Sequence, residues 1–138
     1  MRFVTFESEG HARPGAIQGS DTVVDLSPLG YASLLDLIEG GAEARARTEQ
    51  LLQEKGGAAR YALSSVRLLA PIPRPRKFIC VGWNYLEHFE EGAKTRSNVT
   101  ELPAFPTFFT KTPTCANAPY GDLTTHGGLT EKLDWEAE

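Results

Sequence analysis

The chain lacks any apolar run approaching the ~20 residues a membrane-spanning helix requires, and its start, MRFVTFESEG, has no apolar stretch behind a basic one. Neither export nor a membrane partner is expected. Cysteine is scarce: only Cys80 and Cys115 occur, far apart and in unrelated local patterns. That usage points to reduced thiols in a cytoplasmic protein rather than to a disulfide framework, with a single bridge left open. Positive charge is also short, with 14 Lys and Arg against 18 Asp and Glu and a formal net charge of −4. Nucleic acid and anionic membrane surfaces are thereby disfavoured, because both call for clustered cations. The basic residues Arg74, Arg76 and Lys77 are punctuated by prolines and read as a solvated loop. There is no G-x-S-x-G, no Walker loop and no G-x-G-x-x-G after a strand, which removes several large enzyme classes.

What is present is a chain of 138 residues, 41% hydrophobic, long enough for an ordinary domain with a real core. RFVTF over residues 2–6 and DTVVDL over 21–26 alternate and are rich in β-formers, which predicts two strands joined by a Gly-containing connection. Ser33 stands before LLDLIEGG, where Leu34, Leu35, Leu37 and Ile38 form an apolar stripe and Gly40 with Gly41 supplies a stop, so a short buried helix is expected. A second, mostly exposed helix is expected over 42–55, with Glu43–Arg47 and Arg45–Glu49 at i,i+4. His11 falls in the connection as a solvated loop residue. A strand over 66–69 precedes a Pro-rich connector over 71–75, where a domain boundary is placed, giving modules 1–70 and 71–138. Beyond it, KFICVG over 77–82 suits a buried strand and PAFPTFFTK over 103–111 resembles another.

Three places could carry chemistry. In NYLEHFEEG, His88 is surrounded by Glu87, Glu90 and Glu91; on a helical turn His88 and Glu91 lie at i,i+3 and share a face. A carboxylate beside an imidazole fixes its tautomer and raises its basicity, as a general base requires, although a solvated helix start explains the same residues. In the terminal KLDWEAE, Glu136 and Glu138 would stand side by side on an extended strand, either as a polar tail or as ligands of a hard divalent cation. Two carboxylates are too few for such a site, so a further acid such as Asp122, Glu131 or Asp134 would be needed. Lys111, closing PTFFTK, is a strand-end lysine or a cation facing a bound carboxylate.

The order PIPRPRKFICVGWNYLEHFEE, then PTFFTKTPT, then KLDWEAE resembles the fumarylacetoacetate hydrolase family. In that family a G-x-N-Y-x-x-H segment follows the first strand of the catalytic domain, then a strand ending F-x-K, then D-[YW]-E-x-E. Here the matching residues are Gly82, Asn84, Tyr85 and His88; Phe109 and Lys111; and Asp134, Trp135, Glu136 and Glu138. The resemblance implies an α+β protein, with a small N-terminal α/β module followed by the first strands of a β-rich catalytic domain that is incomplete at its C-terminus. It further implies Glu136 and Glu138 as two of three ligands of Mg²⁺, with Mn²⁺ or Ca²⁺ as alternatives, and His88 with Glu91 as the dyad that activates water. Tyr85 and Lys111 would contact a small oxo-acid substrate. The implied reaction is hydrolysis of a C–C bond in an acylpyruvate or fumarylacetoacetate-type diketo acid. Isomerisation, decarboxylation or hydration of unsaturated 2-oxo-dicarboxylates in aromatic-compound catabolism is the alternative, as is an inert module that associates through an exposed strand edge. The full protein is expected to be a cytoplasmic homodimer or larger. Trp83 stands where many members have Leu or Arg. Because the third acid of the family lies beyond E-x-E, the 138-residue chain alone is expected to bind Mg²⁺ poorly and to turn nothing over. Acylpyruvate cleavage by the purified chain would refute this.

Overall fold

Alternating apolar and polar residues build the first strand, β1 (Arg2–Ser8), which turns at Glu9-Gly10 into β2 (His11–Gln18). They run antiparallel with Arg2 opposite Ile17 and Ser8 opposite His11. β3 (Thr22–Asp25), β4 (Arg60–Ala62) and β5 (Arg67–Leu69) complete a five-stranded sheet in the order β4-β3-β2-β1-β5. This computed structural model describes residues 1–95, 101–125, 127–130, 133–135 and 137. They form two units, Met1–Arg74 with Ala116–Gly121, and Pro75–Cys115 with Asp122–Glu138. The architecture is α+β.

The expected connection between the first two strands is thus a strand itself, β2, and the central one. Pro14 and Gly15 break the pattern by which a strand is recognised in sequence. The break is harmless in the fold. The Pro14 carbonyl accepts the Leu26 amide at 2.9 Å, so the N–H that proline lacks would face a residue just past the end of β3. Pairing with β1 therefore continues through Thr5 opposite Pro14. His11, expected in a loop, opens β2 and is exposed.

Two helices cover the sheet face that carries Ala16. Ser33 caps α1 (Leu34–Glu39), its hydroxyl accepting the Asp36 amide at 3.2 Å. Gly41, at φ +59°, allows the chain to turn directly into α2 (Gly41–Gln53). Leu34, Leu37, Ala44 and Leu51 are buried with Ala16 and Leu26 in one core. Ile38, expected in the apolar stripe, is instead exposed. Arg45 pairs with Glu49 at 3.2 Å as the spacing predicts, whereas Arg47 reaches the Leu29 carbonyl at 2.9 Å and lies over the Tyr31 ring. Across the sheet, buried Asp25 accepts from Arg13 at 3.0 Å and from the Ser27 amide at 2.8 Å. The hydrogen bond to Asp25 outweighs desolvation and strengthens the hold of Arg13 on its proton.

In the second unit, β6 (Ile79–Gly82) and β7 (Thr107–Thr110) pair antiparallel, with Cys80 opposite Phe109. The Lys111 amide extends this ladder to the Phe78 carbonyl at 3.0 Å. β7 is shorter than the expected 103–111 because Pro103 and Pro106 have no N–H to donate. Between the two strands lies α3 (Leu86–Thr95).

Gly15 packs where the first unit has no spare volume. A Cβ there would meet the Phe6 ring at 2.9 Å and Val23 at 3.1 Å, both fully buried. Gly15→Ala is expected to destabilise the protein by about 2 kcal/mol through overpacking. A lowered urea midpoint checks it; an unchanged one would show that the Phe6 ring yields freely.

Candidate functional site

The site grows from the end of β6. Buried Cys80 and half-buried Val81 lead to Gly82, whose neighbour Trp83 takes φ +56°, a left-handed conformation that costs an L residue about 1–2 kcal/mol. Packing offsets this cost. The Trp83 ring meets Phe89 edge-on, with centroids 5.7 Å apart and planes at 78°, and Phe89 is the buried anchor of α3. α3 therefore starts at a fixed place, and His88 and Glu91 occur one turn apart on it.

Tyr85, Glu87, His88, Glu91, Asp134 and Trp135 line an open cavity of about 460 Å³. It is wide, half polar and rich in acids. The structure thus brings together three of the residues singled out in the sequence, Tyr85, His88 and Glu91, with Asp134 from a segment more than 40 residues later. Lys111 sits at the end of β7 with its ammonium 5.5 Å from the Phe109 ring centroid, and it is not among the described lining residues of that cavity. Glu136 and Glu138 lie outside the described residues.

Ala137, between them, is held in a way that residue types did not reveal. The Asn84 amide donates to its carbonyl at 2.7 Å, and the Tyr85 hydroxyl accepts from its amide at 3.0 Å. The strand expected for LDWEAE is not seen at Leu133–Trp135 or Ala137; the Trp135 amide donates to the Asp134 carboxylate at 2.8 Å and the Ala137 amide to Tyr85. Asn84 was legible only as a member of a motif; its partner is a backbone group 53 residues away.

Among the described residues no three His, Cys, Asp or Glu side chains are grouped closely enough to hold a metal ion. The donors the cavity does offer are carboxylates with an imidazole and no thiol, the set that suits a hard divalent cation. Among the described residues no helix is long and apolar enough to cross a membrane.

The candidate site is thus an acid-rich cavity with a histidine among its lining residues, built on a strand–turn–helix unit. Residues 77–138 match the family described as fumarylacetoacetate (FAA) hydrolase, C-terminal. The chain belongs to the fumarylacetoacetate hydrolase family. Over its whole length it is 31% identical to the oxaloacetate tautomerase YisK of Bacillus subtilis, covering 50% of that protein. It is likewise 33% identical to the mitochondrial oxaloacetate tautomerase Fahd2a of Rattus norvegicus, covering 43%. The chain spans about half the length, or less, of the curated relatives it matches. Among solved structures, 82% of the chain superposes on maleylpyruvate hydrolase from Sphingobium sp. SYK-6, at 26% identity, TM-score 0.56 and 38% of that chain. A fumarylacetoacetate hydrolase from Exiguobacterium antarcticum gives 33% identity, TM-score 0.53 and 36% of that chain. The Sphingobium enzyme has also been solved with manganese(II) and pyruvate.

Phe89 is the test of how the site is held. Phe89→Ala removes the ring that Trp83 leans on and empties a buried position, so a loss of about 3 kcal/mol is expected. Thermal melting checks the size. Unchanged stability would mean that α3 is anchored by something other than this ring pair.

Proposed function

We propose that the protein hydrolyses a C–C bond in a small 2-oxo acid of the acylpyruvate or fumarylacetoacetate type, with His88 and Glu91 activating water and Glu136 and Glu138 holding a divalent cation. Residues 1–70 would be an accessory module and residues 71–138 the start of the catalytic domain. The observation that carries this reading is the placement of His88 and Glu91, one turn apart on α3, on the wall of one cavity with Asp134.

When bound, Mg²⁺ or Mn²⁺ would act as a Lewis acid toward the oxygens of the 2-oxo acid. The chain's own residues do the rest. Glu91 orients the His88 imidazole, which takes a proton from water. The water oxygen adds to the distal carbonyl and the adjoining C–C bond breaks. The products are a carboxylic acid and the enolate of a 2-oxo acid, which recovers a proton from His88. Lys111, as a strand-end cation, is suited to a substrate carboxylate, and Tyr85 is among the residues that line the cavity.

A second reading, tautomerisation of a 2-oxo-dicarboxylate, is favoured by the full-length relatives, which are named oxaloacetate tautomerases. It needs the same cavity and the same proton carrier but no water. The two separate on the substrate turned over, because both use His88 as proton carrier. In the full-length protein, His88→Ala should lower acylpyruvate hydrolysis by about 100-fold or more, followed as loss of the diketo absorbance. A chelator should abolish turnover, and added Mg²⁺ or Mn²⁺ should restore it. Failure of the unsubstituted enzyme to cleave any acylpyruvate while it interconverts the keto and enol forms of oxaloacetate would replace hydrolysis by the second reading.

A further inference from the structure

We infer that Trp83 is a positioning residue for the His88–Glu91 pair: by holding the Phe89 ring it sets the rotational phase of α3, which turns His88 and Glu91 toward the cavity and Glu90 away from it. The inference rests on the proposed roles of His88 and Glu91.

Successive residues of an α-helix point about 100° apart. With Phe89 as reference, His88 lies about 100° to one side, Glu87 and Glu91 lie near the opposite face, and Glu90 lies about 100° to the other side. His88 and Glu91 are thus only about 60° apart, whereas Glu90 points about 160° away from His88. The lining of the cavity follows this order: Glu87, His88 and Glu91 are in it and Glu90 is not. The phase is exacting. A slip of one residue would take Glu87 and Glu91 off that wall and bring Phe89 and Gly92 onto it.

Little within α3 can fix that phase. Among its described residues Phe89 alone is buried. Leu86 is exposed, and the half-buried Gly92 and Ala93 have too little side chain to lock a rotation. The fixed point comes from outside the helix. β6 ends at Gly82, paired with Thr107 of β7, and the next residue, Trp83, turns at φ +56° and meets Phe89 edge-on with ring centroids 5.7 Å apart. Because Trp83 precedes α3, its ring does not rotate with the helix. It ties Phe89 to the β6–β7 ladder, and the direction of His88 and Glu91 follows. A catalytic group misplaced by about 1 Å can lose on the order of 100-fold in rate, so the phase bears directly on turnover.

The test uses the full-length protein, with turnover read on an acylpyruvate, or on oxaloacetate if keto–enol interconversion is its activity. Trp83→Gly keeps the turn, since glycine adopts φ +56° freely, and removes the ring. It is expected to lower kcat about tenfold or more with KM little changed, while Trp83→Phe, which keeps an aromatic edge, restores most of kcat. Trp83→Leu takes the place of Trp83→Gly if the latter does not fold. Glu91→Gln is expected to lose turnover as His88→Ala does, and Glu90→Gln to keep it. If His88→Ala or Glu91→Gln retains full kcat, the proposed pair fails and takes this inference with it. If both lose turnover while the variant without the Trp83 ring keeps full kcat, or Trp83→Phe restores nothing, or Glu90→Gln falls as far as Glu91→Gln, the positioning role alone is overturned.

Discussion

The backbone at Trp83 turns through φ +56°, which a bulky L residue adopts only where its surroundings compensate. Compensation comes from Phe89, six residues on, whose ring receives the Trp83 ring edge-on and is itself buried. The turn and the helix therefore stabilise each other. Reversal of the chain at Trp83 puts Asn84 and Tyr85 at the head of α3, where they reach Ala137, and leaves His88 and Glu91 on the wall of the acid-rich cavity. An L residue in this conformation is a local cost, and the contacts that repay it are those that build the site.

The first unit obeys a different constraint, close approach between strands. β2 runs through the middle of the sheet although its sequence contains Pro14 and Gly15. Proline is tolerated because its missing donor falls beyond the end of β3, and glycine is needed because Phe6 and Val23 occupy the space a side chain would fill. Both features hide the strand from a reading by alternation, which finds β1 and β3 but takes the residues between them for a connection. The helices were easier to see. Ser33 as a cap and the Gly40-Gly41 pair mark α1 and the entry to α2 in sequence and in space, and only the side of α1 that Ile38 occupies departs from the apolar stripe.

For the site, sequence order carried more than residue type. His88 among glutamates has an equally good explanation as a wet helix face, and it gains meaning from the ordered motifs around it, which the match over residues 77–138 and the superposition on family structures support. What stayed invisible was every contact made to the backbone. Asn84 holds a carbonyl and Tyr85 an amide, and a backbone partner leaves no trace in the identity of the residue it belongs to. Asp134 stands in the sequence as a motif residue and a candidate third acid beside the terminal carboxylates, and the fold places it in the lining of the same cavity as the histidine.

The five-stranded sheet ends on β4 and β5, each only three residues long and each carrying an arginine, Arg60 on one side and Arg67 on the other. Arg67 is met by Glu7 from the neighbouring strand at 3.1 Å, and Arg60 donates to the Glu54 carbonyl at 3.0 Å. A strand from another molecule seeking to extend this sheet would find a short run of open backbone guarded by a cation at both margins. The brevity of the two outermost strands thus leaves little backbone on which a further strand could build.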